Sequence, residues 1–436
     1  MFQVLRNAWK IADLRKEILY TLFIILVFRL GSAISVPYVD VQALNDAVSG
    51  SSNTFMSYLT LLSGGGFSNA SIFALSITPY INASIIIQLL TVVIPALERL
   101  SKEGEDGRKK LQRITRYVGA GIALALSIAY YFLLRNWGVL VYTEGASAVF
   151  SAVVMIFAFT AGSMFVQWMG EQIDVKGIGN GISILIFAGI ISSWSSLFTS
   201  VRYYFGLAMD GESKYFIFMP LILVLALVVL VLIVILNAAE RRIPVQYAKR
   251  VVGRKMYGGQ NSHIPIKVNM SGVMPIIFAS TLAMIPTTIA QFFPNLYNAS
   301  VHPVWSAILG AFSPSSWAYA VIYFVLIIAF NYFYVAIQYN PVEIANNLRN
   351  NSGTIPGYRP GKPTSDFITK VLGKITFIGA MFLGIVAIFP IALTAITGMD
   401  IALGGTSLLI VVGVALDTSR SLESYMLMRH HKGFLE

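Results

Sequence analysis

Few residues in this chain could carry out chemistry. The sequence has no cysteine, which excludes disulfides, iron–sulfur clusters and thiolate catalysis. It has only four histidines, so we expect no imidazole metal site; they are His263, His302, His430 and His431. The glycine-rich segment 177–181 resembles a phosphate loop, but no strand precedes it and no Gly-Lys-Ser/Thr follows. We therefore expect a protein that is not an enzyme and has no metal or cofactor.

The composition is that of a protein embedded in a membrane. Of its 436 residues, 56% are hydrophobic and 12% are charged, and the mean hydropathy is +0.72, values that are unusual for a soluble fold. The formal net charge of +11 could reflect nucleic acid, anionic lipid or membrane topology. The positions of the charges must decide between these three.

Apolar runs long enough to span a bilayer occur ten times along the chain. They lie near residues 18–37, 70–94, 114–134, 150–169, 181–201, 215–237, 270–291, 316–337, 371–392 and 405–427. Ten spans place both termini on one side. All but four of the 31 Lys and Arg residues fall on that side, the exceptions being Arg29, Arg135, Arg202 and Lys214. By the positive-inside rule, both termini are expected to be cytoplasmic.

One apolar stretch is interrupted in a way that implies a cavity. Residues 55–62 form an apolar piece of about eight residues, too short to cross a bilayer, and Ser63, Gly64, Gly65 and Gly66 follow it. A helix that stops inside hydrocarbon leaves carbonyl groups that lipid cannot solvate. Such a segment is tolerated only inside protein or beside water.

Charged residues are rare inside the spans, which disfavours an ion-coupled transporter. Arg29 is the one costly charge. It could be a gate residue or a substrate contact, or it could snorkel or bond the carbonyls at Gly31 and Ser32. Uncharged polar side chains include Asn82, Gln88, Thr281 and Thr287. They could simply bond across helices or form a joint that opens.

Two cytoplasmic loops, 238–269 and 338–370, are unusually long and basic. Turn formers such as those in 355–361 would hold them in defined shapes. The cations could follow from topology alone, or they could form a docking surface for an acidic partner such as ribosomal RNA or a motor protein.

Five motifs, in order, resemble the SecY family, the central subunit of the protein-translocation channel. They are residues 78–90 (TPYINASIIIQLL), 102–110 (KEGEDGRKK), 177–183 (GIGNGIS), 267–275 (KVNMSGVMP) and 404–410 (GGTSLLI). The resemblance runs from about residue 6 to 430 and is to the bacterial members.

The resemblance implies an all-α integral membrane protein. Ten transmembrane helices would form two inverted, pseudo-symmetric halves around an hourglass pore with a re-entrant plug. The implied divisions are an N-terminal cytoplasmic segment (1–17), spans 1–5 (18–201) with a plug segment at about 53–69, spans 6–10 (202–427) and a cytoplasmic tail (428–436).

The resemblance also implies roles for particular residues. An isoleucine ring would close the pore, formed by Ile81, Ile85, Ile186, Ile190, Ile277 and Ile410. The plug and its hinge would include Phe55, Leu59, Leu62, Gly64, Gly65 and Gly66. Spans 2 and 3 would meet spans 7 and 8 at a lateral gate containing Asn82, Gln88, Thr281 and Thr287. The motor and the ribosome would dock on Arg242, Lys249, Arg250, Arg349 and Arg359.

The implied function is a passive protein-conducting channel in the bacterial plasma membrane. It would pass unfolded polypeptides across the bilayer and release membrane helices sideways into lipid. Its implied partners are SecE-like and SecG-like small subunits, a SecA-type motor ATPase, the ribosome, signal sequences, nascent polypeptides and the lipid bilayer. A secondary transporter for a small solute and an insertase that only shields helices are the alternatives.

Overall fold

The structure is a computed structural model that describes residues 2–50, 60, 63–209, 213–247, 250–252, 255–257, 261–292, 303–313, 316–397 and 405–432. The chain divides into two compact units. Unit 1 comprises Met1–Arg202, Met284–Pro314 and Val414–Glu436, and unit 2 comprises Tyr203–Ala283 and Ser315–Gly413.

Helices dominate both units, as the apolar runs predict. In chain order the elements are α1 (Phe2–Lys10), α2 (Ala12–Ala33), α3 (Val41–Gly50), α4 (Thr78–Val93), α5 (Pro95–Lys102), α6 (Glu105–Asn136), α7 (Gly145–Lys176), α8 (Gly181–Ser192), α9 (Trp194–Met209), α10 (Ser213–Ala238), β1 (Glu240–Tyr247), β2 (Arg250–Val252), β3 (Lys255–Tyr257), β4 (Asn261–Lys267), α11 (Met274–Phe292), α12 (Pro303–Ala311), α13 (Trp317–Gln338), α14 (Pro341–Asn350), β5 (Gly353–Thr354), α15 (Lys362–Thr397) and α16 (Gly405–Lys432).

Each of the ten predicted spans contains a helix, but the count of ten is not confirmed. Within the described ranges, five helices are long and apolar enough to cross a membrane, namely α6, α7, α10, α13 and α15. A sixth results if α4 and α5, which bend by 102° at their junction, are one span. Other predicted spans fall short because α8 has only 12 residues, and because α2 includes Lys16, Glu17 and Arg29. The chain is a multi-pass membrane protein.

The predicted second span begins as a helix eight residues later than the apolar run suggests. Residues 70–77 are turns apart from Ser71, which forms a β-bridge with Ser35, and Ala70 and Ser76 have positive φ values of 43° and 49°. The backbone of this stretch bonds to the end of α2 instead, because Ile72 N donates to Ile34 O at 3.0 Å. The helix starts only where Pro79, at the first turn, suits a helix N-terminus. Non-helical backbone is thus buried inside unit 1 at residues 70–77, where the apolar run predicts a helix; such backbone is tolerated inside protein.

Small residues let the helices of unit 1 approach this non-helical stretch closely. Gly162 of α7 lies against the backbone of Ile72, and a Cβ at Gly162 would overlap the Ile72 carbonyl oxygen. One residue further along α7, Ser163 Oγ donates to Ser76 O at 2.9 Å. The stretch is therefore held by direct backbone contact with α7.

This contact predicts a sharp difference between two glycine substitutions. Gly162→Ala should lower the thermal unfolding midpoint of the solubilised protein, since overpacking against backbone costs about 1–3 kcal/mol. Gly121→Ala on α6, where a Cβ would meet nothing within 4 Å, should leave the midpoint unchanged or raise it, because alanine favours a helix. Equal midpoints for the two variants would contradict the close packing.

Unit 2 contains a small antiparallel sheet that the all-α prediction does not include. Its strand order is β4-β1-β5, and Ile243 of β1 pairs with Ile264 of β4. Ile243 and Val245 are buried while the neighbouring residues are exposed, an alternation that suits a half-buried strand. The described part of the predicted loop 238–269 therefore has a defined shape, and strands β1 to β4 give it that shape.

Candidate functional site

The isoleucines assigned to the ring in unit 1 are buried. On α4, Ile81 and Ile85 are 8% and 7% exposed, and on α8, Ile186 and Ile190 are 4% and 0% exposed. Each pair is spaced i,i+4, so its two side chains stack on one helix face. Their sequence neighbours behave differently, because Ile86 and Ile191 are 42% and 40% exposed. The predicted ring positions therefore face protein, although isoleucine would be equally stable in lipid.

Local sequence explains where α8 begins. Asn180 is its N-cap, and the Asn180 side chain accepts a hydrogen bond from Ser183 N at 2.9 Å. Asp174 of α7 accepts from Gly181 N at 2.7 Å. A Cβ at Gly181 would overlap the Gly170 carbonyl oxygen. The segment 177–181 is thus a tight helix–helix connection rather than a phosphate loop, and its capping bonds fix the start of the helix that carries Ile186 and Ile190.

The two ring isoleucines of unit 2 are buried as well, with Ile277 5% and Ile410 3% exposed. Val273 directly precedes α11, and its carbonyl oxygen accepts from Ile277 N at 3.3 Å. Ile410 precedes Gly413 by three residues on α16, so these two share a helix face. A Cβ at Gly413 would lie 3.1 Å from Val273 Cγ1. The start of α16 therefore approaches the start of α11 on the sides that carry these isoleucines.

Only part of the predicted plug lies in the described residues. Phe55, Leu59 and Leu62 lie outside them. The 63–66 turn, formed by Ser63, Gly64, Gly65 and Gly66, is described, and Gly64 and Gly65 have φ values of +62° and +88° that favour glycine. Ser63 Oγ accepts from Phe67 N at 2.9 Å. The predicted hinge is therefore an ordered turn.

Arg29 supplies a contact to this turn that sequence reasoning did not identify. Its Nη1 donates to the Gly64 carbonyl oxygen at 2.9 Å, rather than to the carbonyls at Gly31 and Ser32. Tyr130 of α6 makes a second tie nearby, since its hydroxyl donates to Phe67 O at 2.7 Å. The partners are distant in sequence. The sequence did contain one sign of the Arg29 contact: an unpaired charge inside a span is costly, so Arg29 needs a partner.

The predicted gate residues differ in how their polar groups are used. The Asn82 side-chain oxygen is buried and has no hydrogen-bond partner among the described residues, whereas Gln88 is half-buried. Thr281 is also half-buried. Thr287 Oγ1 donates to Met284 O of its own helix at 2.9 Å. Thr287 thus has a hydrogen-bond partner in its own helix, while the Asn82 side-chain oxygen is an unused acceptor.

The predicted docking residues lie on exposed elements of unit 2 where the structure describes them. Arg242 on β1 pairs with Glu240 Oε1 at 2.7 Å, and Arg349 lies exposed in the last turn of α14. Lys249 lies outside the described residues, as does the side chain of Arg250. Arg359 is exposed and belongs to a turn between β5 and α15.

The turn around Arg359 is held by contacts on both sides. The Tyr358 ring contacts Phe367, with ring centroids 4.2 Å apart, and Phe367 packs on the core of unit 2. The Arg359 carbonyl oxygen accepts from Thr364 Oγ1 at 2.8 Å. The guanidinium is thus presented to solvent from a backbone that is fixed on both sides.

An ion-pair cluster on α6 and α7 was also missed by sequence reasoning. Arg116 donates to both carboxylate oxygens of Glu171, at 3.2 and 2.6 Å, and Gln167 donates to the same group at 3.1 Å. Bidentate geometry makes this a well-defined tie between the helices. Its partners are 55 residues apart, so sequence spacing gives no signal for it.

Comparisons with known proteins agree with the arrangement of spans and motifs. A family model described as SecY matches residues 71–419. The protein translocase subunit SecY of Halalkalibacterium halodurans is 43% identical over 453 residues, covering 100% of both chains.

Among solved structures, one described as a protein-conducting channel has a TM-score of 0.65 at 17% identity and covers 94% of this chain and 92% of its own. Sec61 in a canine ribosome–channel complex has a TM-score of 0.62 at 15% identity, with the same coverage. At these identities, the structural likeness concerns the fold. The family match and the full-length identity go further: the chain belongs to the SecY family.

Proposed function

We propose that this chain forms the protein-conducting channel of a bacterial translocase. The observation that carries the proposal is its full-length identity of 43% to a protein named as a translocase subunit. The channel passes unfolded polypeptides across the plasma membrane and releases membrane helices into lipid. The chain itself supplies no catalytic step and needs no cofactor.

The isoleucine ring accounts for how such a pore conducts a polypeptide without leaking ions. An apolar constriction gives water no hydrogen-bond partners, so the constriction dewets and ions cannot cross it. Isoleucine side chains also offer a moving polypeptide no charge or hydrogen bond, so polypeptides of any sequence can pass without binding to the ring. The burial of all six residues supports this role, because isoleucines that served only as lipid-facing surface would be exposed.

The plug and the lateral gate complete the proposed mechanism. The plug segment closes the ring from the outer side, with the 63–66 turn at its end. The gate opens between α4 and α6 on one side and α11 and α13 on the other, and signal sequences and membrane helices leave through it. The unused acceptor of Asn82 supports a gate role, since a buried polar atom without a partner weakens the packing around it.

Energy comes from partners on the cytoplasmic side. We assign the docking of a SecA-type motor ATPase and of the ribosome to five basic residues of the two long loops, with Arg359 foremost: Arg242, Lys249, Arg250, Arg349 and Arg359. The distribution of Lys and Arg supports cytoplasmic termini in the bacterial plasma membrane. SecE-like and SecG-like subunits complete the membrane complex.

Reconstitution tests this function directly. Liposomes containing the chain with its two small subunits should make an unfolded preprotein resistant to added protease when the motor and ATP are present, and not when ATP is omitted. Liposomes with the small subunits alone are the control. Protection that does not require this chain would contradict the proposal, and uptake of a small solute without a motor would favour a transporter instead.

A further inference from the structure

A charged side chain in the first span contacts the backbone of the 63–66 turn. Arg29 lies on α2 and is half-buried. Its Nη1 donates to the Gly64 carbonyl oxygen at 2.9 Å, and these two residues are 35 positions apart. The same oxygen lies 3.5 Å from the Ser192 hydroxyl at the end of α8, so α2, the turn and α8 meet at one carbonyl group.

The fit around Gly64 is tight. A Cβ placed at Gly64 would lie 2.7 Å from Arg29 Nη1 and 3.0 Å from the Gly189 Cα. The φ of +62° at Gly64 also disfavours a side chain there. The turn is therefore pressed between the guanidinium and the backbone of the helix that carries Ile186 and Ile190.

Among the described residues, the carbonyl of the 63–66 turn is what compensates the charge of Arg29. An arginine inside a span usually reaches the interface or pairs with a carboxylate or a backbone carbonyl. Within the described part of the chain, no carboxylate lies within ion-pair distance of Arg29. Its guanidinium is charged at every accessible pH, so the carbonyl of Gly64 is its main compensation. A charge-assisted bond of this kind is stronger than a neutral one.

We propose that Arg29 is a positioning residue that holds the 63–66 turn against α8 and so keeps the channel closed at rest. The proposal rests on the proposed channel function, to which it adds the contact that stabilises the closed state. Opening the turn would leave the guanidinium without its carbonyl, and this cost favours closure. Any process that pulls the turn away must first break the Arg29–Gly64 bond.

A cysteine reporter tests the contact independently of transport. The chain has no cysteine, so Ser63→Cys introduces a single thiol at a position that is 1% exposed. Adding Arg29→Met should raise the rate of maleimide labelling in the reconstituted complex by about tenfold to a hundredfold, the range expected for a lost hydrogen bond to a charged group. Adding Arg135→Met, which removes an exposed arginine of α6, should leave the rate unchanged. Equal rates with Arg29→Met would overturn the proposal.

Two further variants keep the test sound if Arg29→Met folds poorly. Arg29→Lys retains the charge with a shorter reach and should label at an intermediate rate. Gly64→Ala disturbs the contact from the other partner and should also raise labelling. Unchanged labelling in both would equally overturn the proposal.

Resting conductance in planar bilayers separates this proposal from the channel function. The comparison uses Arg29→Met and the triple variant Ile81→Ser, Ile186→Ser and Ile277→Ser. If both leak ions, the closing role of Arg29 and the seal formed by the isoleucine ring are supported together. If the triple variant leaks ions but Arg29→Met does not, the closing role of Arg29 is refuted, while the proposed channel function is retained. If both stay tight, the proposed seal fails, and the claim that Arg29 keeps the channel closed fails with it.

Discussion

Replacing Ile81, Ile186 and Ile277 together by serine should raise the resting ion conductance of the reconstituted complex at least about tenfold. All three side chains are buried and lie on three different helices. Each serine hydroxyl would offer water a hydrogen bond of about 1 kcal/mol, which favours wetting of a constriction that is otherwise dry. Single-channel recording in planar bilayers, without motor or substrate, measures the effect.

The same helices provide a matched control for this variant. Ile86, Ile191 and Ile285 are 42%, 40% and 44% exposed, and they belong to α4, α8 and α11. Changing these three to serine alters composition equally but leaves the proposed ring intact, so conductance should remain at the wild-type level. Similar leakage from both triple variants, or from neither, would refute a seal formed by the buried set.

Arg359→Glu should abolish most motor-driven translocation while the complex still assembles. The residue is exposed on a turn whose backbone is fixed by Tyr358 and Thr364, so reversing its charge alters the surface without disturbing the core. Arginines at the centre of an interface commonly contribute about 2 kcal/mol or more, which corresponds to about 30-fold in affinity. The rate at which a preprotein becomes protease-resistant in the presence of ATP reports the loss.

Lys370→Glu on α15 is the control for charge. Lys370 is exposed like Arg359 and lies in the same unit, so the change in net charge is identical. Translocation should be nearly unaffected in this variant. Docking through Arg359 would be disproved by normal export in Arg359→Glu, and a specific role would be disproved by an equal defect in both variants.

The helical architecture could be predicted because hydropathy alone dictates it. Each long apolar run contains a helix, since backbone groups in lipid must bond within their own segment. Which face of a helix is buried is harder to predict. In the run Ile85-Ile86-Ile87 every side chain is equally apolar, and no periodicity separates the 7% exposure of Ile85 from the 42% exposure of Ile86. The family motif made that distinction.

The features that could not be predicted depend on contacts between distant residues. Residues 70–77 are apolar enough to be helical, yet their backbone bonds to the end of α2. The carbonyl that Arg29 reaches lies on a turn that comes close only after folding. Strand β5 has two residues, which is too short for a sequence signal. The division of the chain into halves at residue 201 and the roles of the individual site residues stay predictions.

The pairing of β5 with β1 has a mechanical consequence for unit 2. Gln246 pairs with Thr354, and Tyr247 with Gly353, so two loops separated by a long stretch of chain share one backbone ladder. A load applied at the turn that bears Arg359 is therefore shared with β1. Because α10 precedes β1 and α15 follows β5 and this turn, both helices receive the load. A force applied to either loop would thus reach two long apolar helices at once.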